Sequence, residues 1–166
     1  LILNLHVPPT ARVLIPALAT VCMFALFACS DSSSPKPPVD CSSVADTTQP
    51  GTVSYANQIV PLFLPNKYNC LEAGCHGGGL ASSHYSLASY EEVLKAGDEA
   101  KQLDMCAVKP GDPEASYLLW KVEGRSGILK ERMPLGCVSS PDPNDCVSAS
   151  DVDLVRTWIL EGARNN

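Results

Sequence analysis

The sequence predicts an all-α domain, small and rich in long loops, that needs more than its own side chains at its centre. Three observations lead there. Four stretches carry helix-spaced apolar residues with caps or stops beside them, while alternating strand patterns are sparse. The part that holds them, residues 53–166, is about 110 residues and can bury one modest core. Few of its helices are long, and such a domain is marginal on apolar burial alone. A large buried cofactor would repair that deficit.

Residues 1–28 read as an export signal. An uncharged run from Val13 to Ser30 follows the lone Arg12 and is dominated by Leu, Ala, Val and Phe. It is long enough for the apolar region of a signal peptide and borderline for a membrane span. Pro16 and Thr20 weaken the spanning reading, whose form would be an uncleaved N-terminal anchor. The run ends in Leu26-Phe27-Ala28-Cys29-Ser30, which resembles the cleavage box of bacterial lipoproteins. That resemblance implies that Cys29 opens the mature chain and carries lipid. It also implies an exported protein on the periplasmic side of the cell envelope. Ser30 stands where inner-membrane retention in enteric bacteria uses aspartate, so the outer membrane is favoured.

Residues 29–52 form the next segment, opening Ser-Asp-Ser-Ser-Ser-Pro-Lys-Pro-Pro after Cys29 and staying small and polar. Too few apolar side chains are present to offset backbone ordering, so this is a disordered tether.

Within 53–166 the helices follow in order. Val53 to Leu64 offers Tyr55, Ile59, Val60, Leu62 and Phe63 as an apolar face, with Pro61 disturbing its middle or end. Tyr90 to Lys95 is short, led by Ser89 as cap, with Glu91 and Glu92 in the first turn where the helix dipole favours them. Asp112 caps a third helix, Pro113 suits its first position, and it runs through Tyr117, Leu118, Leu119 and Trp120. The last, Ser150 to Gly162, has the broadest face, from Val152, Leu154, Val155, Trp158, Ile159 and Leu160, and Gly162 as its stop.

Charge narrows the function. Twelve Lys and Arg against eighteen Asp and Glu give a net charge of −6, and no basic run interrupts the acidic balance. Nucleic acid is thereby excluded as a main partner. Loss of residues 1–28 removes only Arg12 and makes the chain one charge more negative.

The eight cysteines carry most of the chemistry. Cys70-Leu71-Glu72-Ala73-Gly74-Cys75-His76 holds two thiols and a histidine in one short segment. Covalent haem attachment of the c type needs that set: two thiols to add across the vinyl groups, and a histidine beside the second to ligate the iron. The usual spacing places two residues between the cysteines; here four intervene. A Cys70–Cys75 disulfide is the alternative reading. Cys22 leaves with the signal, so Cys41, Cys106, Cys137 and Cys146 remain, and four thiols permit three pairings. Cys137–Cys146 is favoured because it closes the short Ser-Ser-Pro-Asp-Pro-Asn-Asp loop, leaving Cys41–Cys106 by elimination. Zinc and iron–sulfur sites are disfavoured, since neither the thiol spacing nor spare histidines match.

Several further segments accompany the motif in order. Gln58–Phe63 precedes it, and Gly77-Gly78-Gly79 follows, where the backbone could pass close to a flat ligand. Lys109–Ser116 leads into an aromatic-rich helix, Arg132-Met133-Pro134 comes next, and Asp153–Ala163 closes the series. Together they resemble the planctomycete-type cytochrome c domain, over residues 54–164. That resemblance implies a cytochrome c-like fold around one covalent haem c, with Cys70 and Cys75 as thioether sites. His76 becomes the axial ligand and Met133 the second one, although a lone methionine is as a rule a core filler. His84, eight residues past His76, sits in a Ser-Ser-His-Tyr loop and reads as a surface residue.

The implied function is electron transfer, with redox proteins presenting a basic docking patch as partners and a lipid holding the chain to a membrane. The expected protein is therefore a carrier and not an enzyme. A haem peroxidase of the two-haem kind would need a second attachment motif, and there is a single Cys-His pair. The alternative from another class is a haem-free, disulfide-bonded surface lipoprotein acting as a binding module.

Overall fold

The computed structural model describes residues 37–42, 51–77 and 82–166. The proposed signal, the lipid site Cys29, and Cys22, Gly78 and Gly79 lie outside them. The described residues are helical and contain no strand, only an isolated bridge between Cys106 and Ser116.

A π-helical turn, Tyr55–Ile59, runs directly into α1, Val60–Phe63. Ser54 caps the turn by accepting from the Asn57 N–H. Pro61 sits in the first turn of α1, where the missing N–H leaves no gap, and the chain extends again at Leu64. Tyr55, Ile59, Leu62 and Phe63 are buried as the apolar spacing predicts. Helix α2 is Tyr90–Val93, with Ser89 accepting from Glu92 N–H, so the expected cap is present on a shorter helix. Helix α3, Asp98–Gln102, was not expected from the sequence; its local signals are an acidic first turn, Asp98 and Glu99, and Lys101 in its last turn.

The third expected helix is divided. Asp112 caps a 3-10 turn, Pro113–Ala115, and α4 starts afresh at Tyr117–Glu123. Ser116 breaks them with an extended backbone and no solvent exposure. Its hydroxyl accepts from Lys109 N–H at 2.8 Å and donates to Asp112 O at 2.8 Å. A side chain that satisfies two loop backbone groups competes with helix continuation.

Helix α5, Ala149–Leu160, is capped by Ser148, whose hydroxyl accepts from Asp151 N–H at 3.2 Å. It stops in a Schellman arrangement: Gly162 N–H reaches Ile159 O at 3.0 Å and Ala163 N–H reaches Trp158 O at 2.8 Å. Gly162 takes φ +99°, which a side chain would disfavour. Val155, Trp158 and Ile159 are buried, but Leu160, expected on the same face, is 58% exposed.

Trp158 is fully buried and stacks on Tyr55 with ring centroids 5.4 Å apart, while Tyr90 meets Tyr55 edge-on at 5.2 Å. This aromatic group joins the first and last helices. Polar ties reinforce the junction. Glu161 Oε2 accepts from the N–H groups of Thr52 and Val53 at 2.8 and 3.0 Å, and Ala56 N–H reaches Asn166 O at 3.0 Å.

Both expected disulfides are present, Cys41–Cys106 and Cys137–Cys146. The first fastens the segment read as a tether to the buried loop between α3 and α4, because Cys106 has no solvent exposure. No helix among the described residues is long and apolar enough to cross a membrane.

Candidate functional site

The segment Cys70–His76 lies after α1 as a tight, irregular loop. Asn69 and Gly74 adopt positive φ, at 50° and 88°, which lets the chain reverse within a few residues. Cys75 N–H reaches Glu72 O at 2.9 Å, and His76 N–H closes back on Cys70 O at 3.0 Å. The four residues between the cysteines are thus taken up in a closed loop that leaves both ends together. Leu71 N–H bonds Phe63 O at 3.2 Å and Leu87 N–H bonds His76 O at 2.9 Å, fixing the loop to the core on two sides. Gly77 follows, and its Cα packs on the Leu71 carbonyl group, where a Cβ would stand 2.9 Å from the carbonyl carbon. Its lack of a side chain therefore serves this backbone contact, whereas Gly78 and Gly79 lie outside the described residues.

Cys70 and Cys75 are unpaired, and both are half-buried. Burial, reinforced by the neighbouring Cys75, pushes the Cys70 thiol up to about 11, so it is protonated at neutral pH and is no thiolate nucleophile. His76 Nδ1 lies 2.7 Å from the carbonyl oxygen of Tyr85. A carbonyl only accepts, so Nδ1 carries the proton and Nε2 carries the free lone pair. The Tyr85 ring stands edge-on to the imidazole with centroids 5.7 Å apart, and its hydroxyl donates to Val93 O at 2.9 Å.

These residues line an open pocket, part of which is continuous with solvent. Cys70, Cys75, His76 and Met133 all line it, as do Phe63 from α1 and Leu118 from α4. The four residues singled out from the sequence, 63 positions apart at the extremes, thus share one pocket.

Met133 reaches it on a segment bound to α4. Its N–H donates to Lys121 O at 3.0 Å, and Arg132 Nε donates to Val122 O at 2.9 Å. The Cys137–Cys146 bridge follows four residues later, with Cα atoms 4.8 Å apart, and restrains the far side of the segment. His84 stays outside the pocket: its side chain is 75% exposed and pairs with Asp98 at 2.6 Å.

Two charged pocket residues had no part in the sequence reading. Glu99 and Lys121 are 8% and 7% exposed and pair at 3.1 Å. Burial raises the Glu99 carboxyl, but hydrogen bonds from Lys121, Ser83 and Lys130 outweigh it and hold the group at about 2. A lysine among Leu118, Leu119 and Trp120 was the available hint. The Tyr85 carbonyl had no hint, because every residue carries one.

Among the described residues no three His, Cys, Asp or Glu converge as a metal-binding group by themselves. Comparison of the chain with family models, curated proteins and solved structures finds no match.

Proposed function

We propose that this chain is a monohaem c-type cytochrome of cytochrome c-like fold, an electron carrier attached to a membrane by lipid on Cys29. One observation carries the reading: a single pocket gathers two unpaired thiols, an imidazole with a defined free nitrogen, and a thioether. Cys70 and Cys75 would hold the haem covalently, each S–H adding across a vinyl C=C. His76 Nε2 and Met133 Sδ would ligate its iron. When bound, the haem supplies an iron that takes up one electron and returns it. With both His76 and Met133 ligating, the iron would suit electron transfer over oxygen chemistry.

The chain's own residues account for the rest. Tyr85 fixes the tautomer and the ring plane of His76, as the outer partners of metal-bound histidines do. Phe63, Leu118 and Ala107 line the pocket with apolar groups, which would limit water around a bound redox centre on that side and favour its less charged state. A group bound in this mostly apolar pocket would make up the shortage of apolar core expected from the sequence. Two disulfides suit an exported protein in an oxidising compartment. The acidic balance suits redox partners with a basic patch, whose association slows as salt rises.

The test is expression of the exported chain with a cytochrome c maturation system. A red protein is expected, with sharp α and β bands on dithionite reduction and a haem-stained band on a denaturing gel. A colourless product with a Cys70–Cys75 disulfide by mass spectrometry overturns the reading in favour of a haem-free binding module.

A further inference from the structure

Resting on the haem reading of the pocket, we infer that Lys121, backed by Glu99, is a positioning residue that holds Met133 in place as the second axial donor.

The hydrogen bonds of Lys121 are the basis. Its Nζ has three protons and three acceptors: Glu99 Oε2 at 3.1 Å, Leu129 O at 2.9 Å and Glu131 O at 2.6 Å. Its main-chain carbonyl accepts from Met133 N–H at 3.0 Å. One residue of α4 therefore grips the segment 129–133 at three points, two by side chain and one by backbone. Arg132, bonded to Val122 O at 2.9 Å, fastens the same segment to the next residue of the helix.

Glu99 supplies the counter-charge and joins a second set of ties. Tyr117 Oη donates to Glu99 Oε2 at 3.1 Å and accepts from Leu129 N–H at 2.9 Å. Ser83 Oγ donates to Glu99 Oε1 at 2.9 Å, and Lys130 Nζ approaches the same oxygen at 3.1 Å. The carboxylate thus connects α3, α4, the loop before α2, and the Met133 segment.

Packing alone would not select this arrangement. Lysine is among the residues least often fully buried, and well-packed apolar side chains commonly match or exceed a buried ion pair in stability. An ion pair does fix geometry, since each donor has one place to go. Here the geometry fixed is that of the backbone two and four residues before Met133. Met133 is an unbranched side chain with several rotatable bonds, so its sulfur is only as well placed as its backbone. Orientation of a metal ligand by its surroundings commonly tunes the metal's properties.

The experiment compares wild type with Lys121→Met/Glu99→Gln, which removes both charges together and leaves no unpaired buried carboxylate. Two readouts are taken. In haem-loaded protein, the weak red absorption band of sulfur-ligated ferric iron should be lost and the reduction potential should fall, with helical circular dichroism unchanged. In haem-free protein, amide exchange at Leu129 and Met133 should quicken by at least tenfold, while the amides of α5 stay protected. Lys121→Arg, which keeps charge and donors, should restore part of the band. A folded double variant with unchanged band, potential and exchange overturns the inference. So does a wild-type band that survives Met133→Ala, because Met133 is then not the donor. Wild-type protein without covalent haem overturns the cofactor reading instead. The exchange arm still decides whether Lys121 holds the Met133 segment, as it does for a variant that fails to load.

Discussion

His76 directs its Nδ1 at the carbonyl oxygen of Tyr85, 2.7 Å away, and this contact decides which ring nitrogen is free. With the proton on Nδ1, the lone pair of the neutral imidazole lies on Nε2. The imidazole is also braced by the Tyr85 ring at 5.7 Å, whose hydroxyl is tied to α2. An imidazole so held would lose little further freedom on binding a metal.

The first prediction tests that nitrogen. His76→Gly should leave the fold intact, since the ring is half-buried and its removal strands only one backbone carbonyl at the pocket edge. Haem-loaded variant should lose the sharp low-spin bands, and added imidazole should restore them by taking the vacated place. Retention of the wild-type spectrum without imidazole would show that His76 is not the axial donor.

The second concerns acid. Glu99 is held at about 2 against an ordinary 4.5, despite its burial, by hydrogen bonds from Lys121, Ser83 and Lys130. A depressed carboxyl contributes stability above its unfolded value and loses it as pH falls through the folded one. The contribution is of order 3 kcal/mol, because its side chain is only 11% exposed. Between pH 4.5 and 2, wild type should therefore lose stability more steeply than Glu99→Gln. Urea unfolding at several pH values measures the two slopes; equal slopes refute the assignment.

How much of this was legible in the sequence depends on the kind of signal. Gly162 could be named as the stop of α5 because it is written in backbone freedom, whereas the helix starts one residue before the expected Ser150, on a Ser148 cap that the sequence reading did not name. Of the three pairings open to the remaining thiols, the one favoured for its short loop, Cys137–Cys146 with Cys41–Cys106, is the one present. The division of one helix into Pro113–Ala115 and α4 was not legible, because it depends on where the Ser116 hydroxyl finds partners. Leu160 fits the apolar pattern of α5, yet nothing packs over it enough to bury it. At the site, the thiols, His76 and Met133 could be named from residue type. Their gathering in one pocket, and the roles of Tyr85, Glu99 and Lys121, depend on contacts between distant segments.

A third prediction concerns Gly77, which follows the motif directly. Its backbone packs on Leu71, and an added Cβ would stand 2.9 Å from the Leu71 carbonyl carbon. The Cβ position is set by the backbone and the Leu71 carbon is main chain, so neither can rotate away. Gly77→Ala should destabilise the domain by about 1–3 kcal/mol, the range for overpacking. By contrast, Gly136→Ala meets no atom within 4 Å, and its penalty comes only from its φ of +82°. Urea midpoints for the pair, with haem stain as a second readout, separate crowding near the motif from backbone strain elsewhere. A Gly77→Ala protein as stable as wild type refutes the close packing.

The last prediction ranks the disulfides. Cys41–Cys106 spans 65 positions and Cys137–Cys146 spans 9. If the bridges act by limiting the unfolded chain, loop-closure entropy assigns about 4 kcal/mol to the first and about 2.5 kcal/mol to the second. Their effects on the pocket should run the other way. Cys41 lies in an exposed segment, and losing its bridge should lower the unfolding midpoint with little change in the spectrum of haem-loaded protein. Cys137 lies four residues past Met133, so losing its bridge should broaden or weaken the red sulfur-ligation band at a smaller stability cost. The variants are Cys41→Ser/Cys106→Ala, with the apolar residue at the buried position, and Cys137→Ala/Cys146→Ser. Unfolding curves and ferric spectra of both give two orderings to compare. Opposite orderings in stability and spectrum support a long staple for the fold and a short one for the ligand segment. A single ordering in both would mean that the spectrum merely follows global stability.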